Sequence, residues 1–253
     1  MSSEIEWNPG TALRIAATFL TRVPLGGSHT APTPLSATVW VFPVVGAAVG
    51  LVGGLIFTAF DWVGAPVWIS AIAAISAMYA LTGGLHEDGL ADVADGFGGG
   101  NSRDRKLAIM RDSRIGTYGV SALIFSIGVR VAALASIAEA GFAVSALILA
   151  GAISRSAIGP VMALLPQARP DGLSAIAGQP RSSQAWLGVA VAFAIALGFA
   201  GLSDVLVAIC VTAVVVTAVA TIAKRQIGGQ TGDVLGAVAQ VAEIAVLVTL
   251  SAR

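Results

Sequence analysis

The sequence predicts an all-α protein, a polytopic bundle of membrane-spanning helices. Of its 253 residues, 56% are hydrophobic and 11% are charged, and the mean hydropathy is +0.87. A composition this apolar is typical of chains that fold in a lipid bilayer. Uncharged stretches recur that reach the roughly 20 residues a helix needs to cross a bilayer. No repeat or linker divides the sequence, so residues 1–253 are predicted to form one membrane-embedded domain.

The first residues predict a short helix ahead of the membrane spans. Asn8 and Pro9 are typical of an N-cap and a first helical residue, and the helix is expected to run to about Arg22. It is too short and too charged to cross a bilayer, so it either lies in the interface or packs on the bundle as an ordinary helix. The acidic start at residues 1–7 lacks the basic region of a cleaved secretory signal.

Seven apolar stretches predict the transmembrane helices. They are residues 38–60, 65–84, 117–138, 143–165, 185–201, 205–223 and 234–250. Lys and Arg lie before the first stretch and after the second, fourth and sixth, whereas the other connections carry none. By the positive-inside rule, the amino terminus and the three basic connections face the cytosol. Seven crossings then place the carboxyl terminus on the opposite side.

The charged residues concentrate in residues 83–119, which hold six of the 14 acidic and five of the 14 basic residues. The formal net charge of the chain is zero, so nucleic acid is not an expected partner. The one cysteine, Cys210, excludes an intrachain disulfide and a thiolate metal cluster.

Three aspartates in this segment predict a cation site. Asp88, Asp92 and Asp95 follow the spacing i, i+4, i+7, which places them on one face of a helix. Like charges on adjacent turns repel, and oxygen ligands favour Mg²⁺ or Mn²⁺ over zinc. The alternative is a solvated helix face, but such faces usually mix Lys with Glu. His86 precedes the stripe, and a lone interfacial histidine is more often a hydrogen-bonding neighbour than a metal ligand.

The residues after the aspartates predict phosphate binding. A glycine-rich turn at residues 96–100 precedes a run of basic residues, and a second turn, GGQTG at residues 228–232, is expected on the same side. The basic residues are Arg103, Arg105, Lys106, Arg111 and Arg114. Carboxylates that hold a metal, next to arginines and an amide-rich turn, are typical of phosphoryl or pyrophosphate transfer. Several of the basic residues also determine topology.

Two arginines inside predicted spans indicate buried ion pairs. Arg130 and Arg155 would be costly in lipid, so both are expected to face the bundle interior and pair with acidic residues. Asp233 and Glu243, which share one face of the last predicted span, are the candidate partners.

Several sequence stretches resemble the cobalamin synthase family, also called adenosylcobinamide-GDP ribazoletransferases. The strongest are GGLHEDGLADVADGFGGG at 83–100, RDRKLAIMRDSRIGTYGV at 103–120 and GGQTGDVLGA at 228–237. Shorter matches are FLTRVP at 19–24, SRSA at 154–157 and MALLPQARPDGL at 162–173. The resemblance covers most of the chain. It implies a Mg²⁺-dependent, multi-pass enzyme of the bacterial cytoplasmic (inner) membrane, with its active site facing the cytosol.

The resemblance also implies a reaction. A ribose hydroxyl of α-ribazole, or of its 5′-phosphate, attacks the cobinamide-linked phosphorus of adenosylcobinamide-GDP, and GMP leaves. The expected partners are the corrinoid nucleotide, ribazole and the lipid bilayer. A homo-oligomer, or association with other late cobalamin-assembly enzymes, stays open.

By position, the family's acidic run falls on Asp88, Asp92 and Asp95, which we expect to hold Mg²⁺. The general base is expected to be Asp112 or Asp233. The residues expected to contact substrate are His86, Arg103, Arg105, Arg111, Arg114, Thr117 and Thr231. Glu87 departs from the family, which more often has an apolar residue there, and it is expected to point away from the aspartate stripe.

Other membrane proteins with aspartate motifs fit less well. CDP-alcohol phosphotransferases need an Ala-Arg pair where this chain has Asp92 and Val93, and prenyltransferases need a second acidic motif, which would rest on Asp233 alone. A cation transporter would place its carboxylates near mid-membrane at broken helices. These aspartates instead follow the second predicted span at its cytosolic end.

Overall fold

The computed structural model describes residues 8–25, 33–137 and 139–253, and within these ranges the chain is helical, without a β-strand. The predicted all-α fold is confirmed. A 3-10 helix, Leu35–Val41, leads directly into the second α-helix. The α-helices are α1 (Pro9–Leu20), α2 (Phe42–Trp62), α3 (Val67–Thr82), α4 (Leu85–Gly99), α5 (Arg103–Ile109), α6 (Thr117–Ser136), α7 (Ala140–Ser156), α8 (Ile158–Leu164), α9 (Leu173–Ala177), α10 (Ser182–Leu197), α11 (Leu202–Ile227) and α12 (Gly232–Ser251).

Helix α1 forms where the sequence predicts it. The Asn8 side chain accepts a hydrogen bond from the Thr11 amide at 3.1 Å, so it is the N-cap. Ala16 and Leu20 are buried against the 3-10 helix and α2. Of the two alternatives for α1, the structure therefore shows a helix packed on the bundle. The prediction for residues 1–7 lies outside the described residues.

Five helical stretches of the described chain are long and apolar enough to cross a membrane. They are Leu35–Trp62, Thr117–Ser136, Ala140–Leu164, Leu202–Ile227 and Gly232–Ser251. The other two predicted spans correspond to α3 and α10, which have 16 residues each. At about 1.5 Å per residue, such helices reach only about 24 Å, short of a hydrocarbon core of about 30 Å. In place of the seven predicted spans, the described residues therefore contain five full-length spans, or six if α3 and α4 (Leu85–Gly99) together form one bent span.

A sharp bend separates α3 from the aspartate helix α4. Their axes meet at 90°, and the joint is the pair Gly83 and Gly84, with φ of +68° and +70°. This left-handed conformation is strained for any residue with a Cβ atom, which explains the two glycines. Because of the bend, α4 does not continue the path of α3. It packs instead against α12 and α6.

The spanning helices pack through small residues. A Cβ atom on Gly46 of α2 would lie 2.0 Å from the Gly151 carbonyl oxygen of α7, and one on Gly50 would lie 2.0 Å from the Leu147 oxygen. Only glycine permits this backbone contact, which is a common way for helices to associate in lipid.

The three basic connections meet at one end of the bundle. The Gln230 amide donates to the Pro166 carbonyl at 2.8 Å, and the Ala168 amide donates to the Gln230 carbonyl at 2.9 Å. Arg103 Nε donates to the Ile227 carbonyl at 2.9 Å. At the opposite end, Arg253 contacts Asp204. The structure therefore places the three basic connections at the same end of the bundle, as predicted.

Candidate active site

Helices α4 and α12 cross in backbone contact, and this crossing builds the site. A Cβ atom on Gly89 would lie 2.7 Å from the Asp233 carbonyl oxygen, and one on Gly236 would lie 3.3 Å from the Gly89 Cα atom. Gly89 lies between Asp88 and Asp92 on α4. The close approach therefore brings the start of α12 against the first part of the aspartate stripe.

The carboxylates of Asp88, Asp92 and Asp233 form an acidic cluster at this crossing. Burial, together with the charges of Asp88 and Asp233, raises the pKa of Asp92 to about 7. A carboxylate whose pKa is raised by its acidic neighbours lacks enough positive charge around it. A group perturbed by burial and by specific charges in a cleft is also a candidate for function. The acidic cluster is therefore suited to bind a cation or a proton.

Asp95 has a different environment from the other two aspartates of the stripe. Its carboxylate accepts hydrogen bonds from the amides of Gly116, at 2.7 Å, and Gly119, at 2.8 Å. These are free amides at the start of α6, where a negative charge also interacts favourably with the helix dipole. A Cβ atom on Gly119 would lie 2.4 Å from the Asp95 oxygen. Asp95 thus fastens α4 to α6.

The structure bears on the predicted metal ligands. In the part of the chain that it describes, no group of three or more His, Cys, Asp or Glu side chains could hold a metal ion together. Mg²⁺ does not require such a cage, because it commonly uses one or two carboxylates, with water and substrate phosphates as its other ligands. Asp88 and Asp92 fit that arrangement. Metal binding by Asp88 and Asp92 stays a prediction. The hydrogen bonds of Asp95 to backbone amides argue against Asp95 as a third metal ligand.

Arg169 is a site residue that our sequence analysis did not single out. Its Nη2 atom lies 3.3 Å from Asp233 Oδ2. Its Nη1 atom is buried and has no hydrogen-bond partner among the described residues. A guanidinium with a free donor beside a carboxylate cluster is suited to a phosphate oxygen. The available signal was the stretch MALLPQARPDGL, which contains Arg169 and carries part of the family resemblance.

Three of the predicted basic residues are engaged with protein groups. Arg103 donates to the carbonyls of Ile227 and Ala168, so it joins the end of α11 to the loop after α8. Arg111 forms an ion pair with Asp171. Arg114 binds Asp112 through Nε at 3.0 Å and Nη2 at 2.7 Å. Arg103 therefore organises the loops.

The two candidates for the general base differ in position. Asp112 is exposed, and its hydrogen bonds from Arg114 lower its pKa to about 2, which makes it a weak base. Asp233 lies in the acidic cluster and accepts a hydrogen bond from the Thr231 hydroxyl at 3.1 Å. Thr231 also caps α12, because its Oγ1 accepts from the Val234 amide at 3.3 Å. The role of base stays a prediction, for which Asp233 is better placed.

The remaining predicted contact residues divide into exposed and buried. Arg105 and Thr117 are exposed, on α5 and at the first position of α6. His86 is only 2% exposed and lies on the first turn of α4, where it lines a small cavity with Asp88 and Asp233. The structure therefore brings His86, Thr231 and Asp233 together, whereas Arg105 and Thr117 are exposed.

A buried ion-pair network lies beneath the acidic cluster. Arg130 binds Glu87 at 3.1 Å and Glu243 at 3.0 Å, and Arg155 also binds Glu243. Glu243 is thus confirmed as the partner of both arginines, whereas the alternative partner, Asp233, pairs with Arg169 instead. Glu87 does point away from the stripe, as expected. Its partner was not foreseeable, because the position of α6 beside α4 depends on the bend at Gly83 and Gly84.

Known proteins resemble this chain over nearly its whole length. A family profile described as cobalamin-5-phosphate synthase matches residues 12–251. An adenosylcobinamide-GDP ribazoletransferase of Bradyrhizobium diazoefficiens is 45% identical over 241 residues, which are 95% of this chain and 93% of that protein. Proteins of the same name from Mesorhizobium japonicum and Azorhizobium caulinodans are 46% and 43% identical, over 92% and 97% of this chain and 90% and 95% of their own lengths. No solved structure matches the chain.

The matched residues include every part of the site described above: the aspartate helix, the Arg169 loop and the turn before α12. The relatives are transferases of cobalamin biosynthesis by name. On the length of the match and the degree of identity, this chain belongs to the cobalamin-5-phosphate synthase family.

Proposed function

We propose that this chain joins adenosylcobinamide-GDP to α-ribazole, or to α-ribazole 5′-phosphate, in a Mg²⁺-dependent reaction that releases GMP. The observation that carries the proposal is the convergence of Asp88, Asp92 and Asp233 with Arg169 at one end of a membrane bundle. The three basic connections meet at that end, which supports an active site on the cytosolic face of the bacterial inner membrane.

The chain's residues divide the binding of the diphosphate between them. Asp88 and Asp92 would hold Mg²⁺, which supplies positive charge to the phosphate oxygens when bound. Arg169 presents its unpartnered Nη1 as a hydrogen-bond donor to a phosphate oxygen. These groups concentrate positive charge where negative charge develops in the transition state.

Asp233 is the base in this proposal. It accepts the proton of the attacking ribose hydroxyl, whose oxygen forms a bond to the phosphorus attached to cobinamide. The bond from that phosphorus to the bridging oxygen breaks, and GMP leaves with the bridging oxygen. Thr231 donates to Asp233 Oδ2 and Arg169 lies 3.3 Å from the same atom, so both orient the carboxylate.

Purified protein in detergent or nanodiscs provides the test. We expect GMP release from adenosylcobinamide-GDP only when α-ribazole and Mg²⁺ are both present. Asp92→Asn and Asp233→Asn should each reduce kcat at least about a hundredfold. Asp61→Asn removes an exposed carboxylate from the last turn of α2 and should leave turnover unchanged. Full turnover by Asp92→Asn at low Mg²⁺ would exclude the metal assignment.

One observation favours a second function, cation transport. The 90° break at Gly83 and Gly84 precedes the carboxylates directly, and transporters use broken helices to bind ions. Proteoliposomes distinguish the two functions. Mg²⁺ flux that needs Asp92 and occurs without GMP release would support transport, whereas GMP release without flux supports the transferase.

A further inference from the structure

A small cavity opens beside the acidic cluster. It measures about 100 Å³ and lies between α1, the start of α2, α4, α8, α9 and α12. Most of its wall is apolar, formed by Phe19, Leu20, Phe42, Ile158, Met162 and Leu235. Asp88 and Asp233 also line it. The cavity therefore adjoins the groups that we assign to metal binding and proton removal.

His86 is the unusual residue of this wall. It is 2% exposed, and neither Nδ1 nor Nε2 has a hydrogen-bond partner among the residues that the structure describes. Buried polar groups are almost always hydrogen-bonded. A neutral imidazole has one N–H donor and one acceptor nitrogen, so His86 offers a donor to a ligand in the cavity.

We propose that the cavity receives the base of the ribazole substrate and that a ring N–H of His86 donates a hydrogen bond to its free ring nitrogen. This proposal rests on the proposed function. The base of ribazole is a benzimidazole, a flat and largely apolar bicycle. One of its ring nitrogens carries the ribose, and the other has a free lone pair. The N–H donor of His86, in a mostly apolar wall, matches the one free acceptor atom of this ring system.

The position of the cavity agrees with the reaction. With the base in the cavity, the attached ribose extends toward Asp88 and Asp233, which line the same space. A ribose hydroxyl then lies on the side of Asp233, the proposed general base. A volume of about 100 Å³ excludes a corrinoid, and a bicyclic base also requires the wall to widen. Met162 is suited to this, because its unbranched side chain adapts its shape readily.

The test compares two acceptors of the same shape. One is α-ribazole, and the other is the corresponding indole riboside, in which a C–H group replaces the free ring nitrogen. The wild-type protein should show a KM about tenfold lower for α-ribazole than for the indole riboside, because the indole leaves the His86 donor unpaired. His86→Phe should raise the KM for α-ribazole about tenfold and remove the discrimination. His86→Gln, which keeps a donor, should restore part of it.

A purely structural role for His86 gives a different result. Such a role would lower kcat or stability and leave the ratio of the two KM values unchanged, and that outcome overturns the proposal. The KM for adenosylcobinamide-GDP should stay constant throughout. If His86→Phe fails to fold, Ala177→Leu fills the cavity from α9 and should raise only the ribazole KM. Ile176→Ala, on the exposed side of α9 at 82% exposure, is its control.

Direct binding separates this proposal from the proposed function. Isothermal titration of detergent-solubilised protein with α-ribazole needs no turnover. If the wild-type protein released no GMP, the proposed function would fail, while α-ribazole binding lost in His86→Phe would still support the cavity assignment. GMP release by a His86→Phe variant with unchanged ribazole affinity would support the function and exclude the cavity assignment.

Discussion

The half-buried carboxylate of Asp92 shows how a single residue can favour function over stability. Its pKa is raised from 3.8 to about 7 by burial and by the neighbouring aspartates. The folded state therefore disfavours the charged form, and the resulting loss of stability grows as the pH rises from about 4 to 7 and is constant above that. A bound cation would remove this cost, which is a reason for the cluster to be acidic.

We expect Asp92→Asn to raise the thermal stability of the metal-free protein at pH 8 while it reduces turnover. The increase in Tm should be roughly 2–4 °C, because solvent screens part of the repulsion. The measurement is thermal unfolding in detergent at several pH values. The increase should disappear near pH 4, where Asp92 is protonated in the folded wild-type protein. An increase that is as large at pH 4 as at pH 8 would contradict the electrostatic cause.

Replacement of Asp95 should have the opposite effect on stability, because both of its carboxylate oxygens accept hydrogen bonds from backbone amides. We expect Asp95→Asn to lower stability by about 1–2 kcal/mol, the usual cost of losing a helix N-cap. The Mg²⁺ concentration for half-maximal turnover should stay unchanged. A tenfold rise in that concentration, without loss of stability, would show that Asp95 is a metal ligand after all.

The same stripe of aspartates illustrates what sequence can predict about elements. The i, i+4, i+7 spacing correctly placed Asp88, Asp92 and Asp95 on one helix, because helical periodicity is a local property. It could not show that the two ends of that helix meet different partners. Asp88 faces α12, whereas Asp95 reaches the start of α6, and this division depends on the bend at Gly83 and Gly84.

The crossing of α4 and α12 can be tested through glycine. We expect Gly89→Ala to reduce turnover at least about tenfold, because its Cβ atom would lie 2.7 Å from the Asp233 carbonyl and force the helices apart. Gly128→Ala on α6 is the control, since its Cβ atom would meet no atom within 4 Å. That variant should be neutral or more stable, because alanine is the better helix former. Equal effects of the two substitutions on turnover would refute the close crossing.

The buried network joins four helices of the whole molecule, α4, α6, α7 and α12, through Glu87, Arg130, Glu243 and Arg155. Two acidic and two basic residues balance in charge. The sequence indicated this pairing for Arg130 and Arg155, because an arginine in a span needs a partner. It could not identify Glu87 as a partner. It also could not separate Asp233 from Glu243, because a shared helical face shows which way two side chains point but not which neighbouring residue lies at the same height along the helix.

Charge balance in this network predicts the behaviour of paired variants. We expect Arg130→Met to lower stability by about 3–5 kcal/mol, because it leaves a buried negative charge without compensation. Adding Glu87→Gln restores the balance and should recover part of the loss. Thermal unfolding of the two single variants and the double variant measures the coupling. Strict additivity of the two losses would show that Glu87 and Arg130 do not interact.

The arrangement of the whole bundle predicts the topology of the chain in the membrane. The connections around Gly100, Arg169 and Gln230 meet at one end, and Arg253 lies at the other beside Asp204. Reporters fused at Gly100 and at Arg253 should therefore report opposite sides of the inner membrane, cytosolic for Gly100 and periplasmic for Arg253. The short helix α10, which lies between the two reporters, must then cross, with the bilayer thinned beside it. A cytosolic signal from both reporters would mean that α10 enters and leaves on the same side.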